Sequence, residues 1–222
     1  WNDPARDPVF RMCIPSISET DLSGDFDTSG EADNTVISGL QHKYPQTALI
    51  LSTHRCAMYC RHCFRKRLVG ISDDETADNV AEMAAYVNAH SEISNILISG
   101  GDAFVNSNQV IAQYLEHFTP IPHLDLIRFG TRTPVVLPER IYDDHELLDI
   151  LKTYTQKKQI YVVTQFNHPK ELTDHARKAV KTLLDAGVIV KNQTVLLKGI
   201  NDSSHVLGAL LKDLTKCGAV PY

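Results

Sequence analysis

The sequence has no uninterrupted apolar run approaching the ~20 residues that a membrane-spanning helix needs, so no membrane partner is expected. It also lacks an excess of positive charge. Twenty-two Lys and Arg stand against 27 Asp and Glu, for a net charge of −5. Nucleic-acid-binding domains are usually basic, so no nucleic-acid partner is expected either. The opening residues, Trp1 to Pro8, are polar and carry no apolar core of a secretory signal. Low-complexity tracts are missing, and there is no internal repeat beyond an alternation of strands and helices. Cysteine is scarce and unpaired in number: five in all, three of them within eight residues. That pattern does not suit a disulfide framework and fits a reducing, cytoplasmic compartment. Cys13 and Cys217 stand alone and read as small, semi-buried thiols. Asn192-Gln-Thr and Asn201-Asp-Ser match the glycosylation sequon, which in a cytoplasmic protein is chance.

What is present is ordinary globular material. The 222 residues suffice for one domain with a sizeable core, with 43% hydrophobic and 22% charged residues. The chain opens at Trp1 without an initiator Met and stops at Val220-Pro221-Tyr222, just as an apolar segment begins after Gly218. It therefore reads as a fragment of a longer protein.

Residues 1–45 are Pro-, Asp- and Ser-rich and read as an N-terminal extension, with a loop over Asp21–Gly30. Residues 46–222 read as a core domain truncated at its C-terminal end. Strands are expected at Ala48–Ser52, Asn95–Ser99, Leu124–Phe129, Gln159–Phe166 and Val188–Leu197, with a sixth starting at Val220. Helices are expected at Thr76–His90, Gln109–Phe118, Asp144–Thr153, Glu171–Ala186 and Ser204–Lys216. Ser72 with Asp73–Glu75 supplies cap-like and acidic residues before the first, and Gly187 a stop for the fourth. Strongly apolar strands alternating with helices argue for a parallel α/β sheet covered by helices. Both a doubly wound sheet and a barrel satisfy that rhythm. In either, ligands bind beyond the C-terminal ends of the strands, and the polar motifs lie there.

Cys56, Cys60 and Cys63 form a C-x3-C-x2-C run, C-A-M-Y-C-R-H-C. It supplies three thiolates, one fewer than closes an iron–sulfur cube. An open coordination position is the mark of a catalytic rather than a structural metal site. The bland alternative, a zinc knuckle or scattered thiols, wants paired C-x2-C units or histidines at matching spacing. The wider segment His54-Arg-Cys-Ala-Met-Tyr-Cys-Arg-His-Cys-Phe-Arg-Lys-Arg67 resembles the radical S-adenosylmethionine (SAM) superfamily, and more narrowly the lysine 2,3-aminomutase family.

The resemblance implies a partial (β/α)6 TIM-like barrel with the cysteine loop after the first strand. It implies a [4Fe–4S] cluster on Cys56, Cys60 and Cys63 whose fourth iron takes SAM, and a 5′-deoxyadenosyl radical as product of its reduction. Gly100-Gly101-Asp102 is similar to the turn that contacts the methionine amino group of SAM, its glycines allowing close backbone approach. Gln165 and Gln193 lie in segments similar to family segments that help bind SAM, although relatives often carry His at the position of Gln165. Arg65 matches the residue that binds the substrate carboxylate, a task suited to a bidentate guanidinium. Lys66 and Arg67 read as solvated or paired with acidic loops. Lys43-Tyr44-Pro45 is similar to a segment near the phosphate of pyridoxal 5′-phosphate (PLP), which holds the migrating amino group. Thr47 stands where some relatives have a second Arg. No lysine here, Lys191 and Lys198 included, matches the PLP-bound one. Tyr59 and His62 read as shaping the loop, His62 through hydrogen bonding. Asn167 and His168 read equally well as plain loop residues before Pro169.

The function implied is a radical SAM isomerase that moves an amino group from C2 to C3 of an amino acid. Lysine is the default substrate, and glutamate, arginine or a lysine on a translation factor remain open. A flavodoxin or ferredoxin would donate the electron, and a homo-oligomer is admitted. The alternatives are a PLP-independent radical SAM enzyme of other chemistry and a non-enzymatic metal-binding or electron-transfer module.

Overall fold

The computed structural model describes residues 6–21 and 23–222. Leu22 within the expected loop, and residues 1–5 of the polar start, lie outside the described residues.

Among the described residues eight strands form one sheet in sequential order: β1 (Thr35–Ile37), β2 (Leu40–Tyr44), β3 (Thr47–Thr53), β4 (Asn95–Gly100), β5 (Leu126–Gly130), β6 (Gln159–Thr164), β7 (Ile189–Asn192) and β8 (Val220–Pro221). From β3 to β8 every pairing is parallel, so six parallel strands follow one another as the α/β rhythm requires. β1 and β2 are antiparallel additions on the β3 edge. They arise from residues read as irregular in the sequence. The helices are α1 (Pro8–Cys13), α2 (Val80–Ala89), α3 (Asn108–Phe118), α4 (Thr133–Val136), α5 (Glu139–Tyr142), α6 (His145–Thr155), α7 (Asp174–Asp185) and α8 (Ser204–Lys216). None is long and apolar enough to cross a membrane.

The strands divide their residues between two faces, as a two-residue period demands. Ile50, Ile96, Ile98, Ile127, Phe129, Ile160, Val162 and Val190 are fully buried in one core with Met83, Ile111, Leu151, Val180 and Leu210 of the helices. Burying each such side chain contributes about 1.5–3 kcal/mol, so this face holds the helices on the sheet. The alternate residues Leu49, Leu97 and Val163 instead line a cavity on the other face.

Element ends differ from the sequence expectation where side chains or loops compete with the pattern. α2 starts at Val80, capped by the Asn79 side chain accepting from Glu82 N at 3.2 Å, not near Ser72. The preceding residues are drawn to the C-terminal half of β3, where Ala77 N donates to Leu51 O at 2.7 Å. α7 starts at Asp174, capped by Thr173, because Glu171 turns back to accept from Asn167 N (2.6 Å) and His168 N (3.0 Å). β7 stops at Asn192, whose side chain accepts from Phe166 N (2.6 Å) and donates to Phe166 O (3.1 Å), so the chain leaves the sheet before the expected end at Leu197. The short α4 and α5 had no expected counterpart.

Candidate active site

The loop between β3 and α2 carries the cysteines and contains turns but no helix or strand. Such a loop takes its shape from contacts with its neighbours. The Gly100–Asp102 turn after β4 supplies one set: Gly101 N donates to Thr53 O at 2.6 Å and Asp102 N to Arg55 O at 2.8 Å. A Cβ on Gly101 would meet Arg55 O at 2.2 Å, and one on Gly100, at φ +104°, would meet Thr53 O at 2.4 Å. Both glycines are therefore required by close backbone approach, and Gly100 also by its left-handed φ. A second set comes from the N-terminal segment. Glu19 accepts from Arg61 Nε at 2.6 Å and Lys66 Nζ at 2.9 Å, and Arg61 N donates to Met12 O at 2.8 Å. These ties hold Glu19 down to about pKa 2, the Lys66 hydrogen bond being the largest cause.

Cys56, Cys60 and Cys63 are free, partly buried and all line one cavity of about 510 Å³ at the C-terminal ends of the strands. Burial pushes the Cys56 thiol up to about 12, with Asp102, Cys60 and Cys63 adding to it, and raises Cys63 as well. A metal that binds here must displace those protons. Around the thiols stand Arg65, Lys66, Arg132, Gln165 and Gln193, while Leu49, Leu97 and Val163 form an apolar floor.

Arg132, after β5, is the residue that sequence reasoning passed over. It is 9% exposed and fully employed. Its Nε donates to Gln165 O at 3.0 Å, its Nη1 approaches Cys60 Sγ at 3.0 Å, and its Nη2 pairs with the buried Glu171. Burial works against its charge, but Glu171 and the Cys60 sulfur outweigh that and raise its pKa. The one sequence signal was position, since Gly130-Thr131-Arg132 follows a strand end as the other polar motifs do.

Asp102 is 3% exposed and acts as a hub. Its Oδ1 accepts from Phe104 N (3.0 Å), the Thr131 hydroxyl and Thr133 Oγ1 (3.0 Å), and its Oδ2 from Arg132 N (2.8 Å). Burial raises its pKa against the pull of these donors. The carboxylate thus binds two loops together. His62 Nε2 lies 3.1 Å from Gln165 Oε1, which joins the cysteine loop to the end of β6. Burial lowers the His62 pKa and favours the neutral ring, whose Nδ1 is buried without a partner. Asn167 and His168 serve the loop: Asn167 Oδ1 accepts from Val195 N at 2.8 Å, and the His168 ring accepts from Lys170 N at 3.1 Å.

Arg65 reaches the cavity but is also tied. Its Nε donates to Glu31 Oε1 at 2.8 Å, its Nη1 lies 3.3 Å from Ser99 Oγ, and its guanidinium covers the Phe64 ring at 4.5 Å. Arg67 pairs with Glu31 at 3.3 Å and with Glu75, as the acidic-loop expectation had it. Glu31, 5% exposed, had no sequence signal because 34 residues separate it from Arg65. Lys43 and Tyr44 are not brought to the cavity. Tyr44 pairs with Thr47 at the opposite end of β3 and is 61% exposed, and Lys43 Nζ donates to Ser29 O at 2.7 Å.

Among the described residues, three thiols that share one cavity without a fourth cysteine there offer the donor set of an open iron–sulfur site. The cationic Arg65, Lys66 and Arg132 would offset the negative charge of such a cluster.

Comparison with known proteins agrees with this geometry. The family model "Radical SAM superfamily" matches residues 50–207. The chain is 42% identical to "L-lysine 2,3-aminomutase" of Fusobacterium nucleatum, over 98% of this chain and 51% of that protein. It is 39% identical to "L-lysine 2,3-aminomutase" of Clostridium subterminale, over 100% and 52%. It is 37% identical to "Glutamate 2,3-aminomutase" of Clostridioides difficile, over 97% and 50%. The chain thus spans about half the length of these relatives. Among solved structures, a polyhistidine-tagged "anSMEcpe with bound AdoMet" is similar in fold, with TM-score 0.56 and 15% identity over 78% of this chain and 50% of that one. With cysteine loop, glycine turn and parallel sheet in this arrangement, the chain belongs to the radical SAM superfamily.

Proposed function

We propose that the protein is a radical SAM isomerase of the amino-acid 2,3-aminomutase type. The observation that carries the reading is the meeting of Cys56, Cys60, Cys63 and the Gly100–Asp102 turn on one cavity above a parallel sheet. Cys56, Cys60 and Cys63 would hold a [4Fe–4S] cluster, which would supply the one-electron reduction that splits SAM into methionine and a 5′-deoxyadenosyl radical, the electron coming from a donor of the flavodoxin or ferredoxin class. The backbone of the Gly100–Gly101 turn, rather than the internally committed Asp102 carboxylate, would meet the SAM amine. Gln165 and Gln193 line the same cavity and would bind the rest of SAM. Arg65, held against Gly100 O at 3.4 Å, would meet a substrate carboxylate, a group every amino acid has. Lysine and glutamate, the substrates named in the relatives, both satisfy it. The apolar floor excludes water from a radical site.

The described residues do not assemble a PLP site, since Lys43 and Tyr44 lie away from the cavity.

Anaerobic reconstitution with iron and sulfide, then dithionite and SAM, tests the proposal. A brown protein that forms 5′-deoxyadenosine is expected, with formation reduced to background in Cys56→Ala, Cys60→Ala and Cys63→Ala. A colourless protein, or undiminished nucleoside in those variants, overturns it. Product analysis with lysine and with glutamate then separates the substrates.

A further inference from the structure

We propose that His42, His90 and Glu92 bind one divalent ion of the zinc class, clamping β2 to the C-terminal end of α2. One ligand atom from each of the three lies within 4.8 Å of the other two, the one such group among the described residues. An ion held by all three would sit at Zn–N and Zn–O lengths of about 2.0–2.2 Å, so the side chains must close in on it.

The surroundings are built for a ligating imidazole. His42 Nε2 lies 3.2 Å from Pro45 O. A carbonyl oxygen only accepts, so Nε2 carries the proton and Nδ1 keeps its lone pair. A metal-bound histidine characteristically donates its other N–H to such a carbonyl, which fixes ring and tautomer. In the ion-free arrangement the Tyr86 hydroxyl donates to that Nδ1 at 3.0 Å, holding the position the ion would take. Tyr86 also stacks on His90, with centroids 4.1 Å apart and planes at 28°, and this fixes the second ring. Glu92 Oε1 accepts from His90 Nδ1 at 2.8 Å and brings the negative charge, so an ion that takes both atoms displaces the Nδ1 proton.

Two imidazoles and one carboxylate suit zinc, cobalt or nickel, whereas calcium and magnesium want oxygen ligands alone. Three protein ligands leave a position for water, on the side where Glu92 is exposed. The place in the fold separates this site from the thiols. His42 sits near the β2 residue that pairs with the start of β3, while the cysteine loop follows the end of β3. An ion here joins the antiparallel edge of the sheet to its first covering helix and takes no part in the radical chemistry.

The test titrates zinc chloride into the cluster-loaded protein under anaerobic conditions, by calorimetry, with metal content measured after gel filtration. One zinc per chain is expected, with affinity at least about tenfold weaker in His42→Ala, His90→Ala and Glu92→Gln. Glu92 is exposed, so Glu92→Gln keeps the fold intact and stands as the decisive variant should a histidine variant misfold. Zinc should also raise the thermal midpoint of the unaltered protein but not that of Glu92→Gln. Equal stoichiometry and affinity in the unaltered protein and in Glu92→Gln overturns the site. So does zinc that binds only cluster-free protein and is lost in Cys60→Ala, because it would then sit on the thiols.

Discussion

Arg132 shows how much one side chain can be asked to do. It joins β5 to the end of β6, pairs with Glu171 and aims an N–H at Cys60. Glu171 is only 2% exposed at its side chain, and Arg132 is the cation it faces. Arg132→Gln should therefore cost about 3–5 kcal/mol, because it strands a buried carboxylate. Glu171→Gln strands the guanidinium in turn, and the double variant should cost clearly less than the sum of the two. Urea unfolding of all four proteins closes that cycle, and additivity would show that the pair is not coupled. The cysteines were legible because their spacing lies within one loop. Arg132, Glu171 and Glu31 were not, since their roles come from partners 34 to 72 residues away in sequence. The Asp102 carboxylate was legible as a site residue, but its inward commitment was not, because nothing local announces Thr131, Thr133 and Arg132 as its donors.

At the scale of elements, the cysteine loop has no ladder of its own and leans on its neighbours. The turn over Ile17–Thr20, just after α1, grips it through Glu19, which accepts from Arg61 and Lys66. The folded pKa of Glu19, about 2, lies below its ordinary value of 4.5. Its contribution is thus fully present above pH 4.5 and is lost as pH falls from there towards 2. The pair with Lys66 is partly exposed, so the effect is modest in free energy. Limited proteolysis across this range should show the N-terminal segment released as the pH falls. In Glu19→Gln the release should be present already at neutral pH and independent of pH, and an unchanged profile would refute the clamp. The parallel strands β3 to β8 and the long helices were legible because apolar periodicity reflects burial directly, whereas β1 and β2 were not. The ends moved where Asn79, Glu171 and Asn192 spent side chains on backbone groups, a competition that periodicity does not record.

For the whole molecule, ligand and fold are thermodynamically linked. A cluster of the proposed kind, held by three partly buried thiols that only the folded chain gathers, would stabilise the folded state. Removing iron with a chelator should lower the thermal midpoint of reconstituted protein, by several degrees if the cluster is worth a few kcal/mol. Cys60→Ala should abolish the difference, and equal midpoints with and without iron would show that the thiols hold no ligand. The sequence by itself determined the parallel α/β architecture and the family, because strand and helix periods and a short thiol spacing are local properties of the chain. Only the tertiary structure decided that Lys43 and Tyr44 stand apart from the cavity, that β1 and β2 extend the sheet, and that Arg132 faces Cys60. Those facts depend on which strand ends meet, and that is settled by packing between residues far apart in the chain.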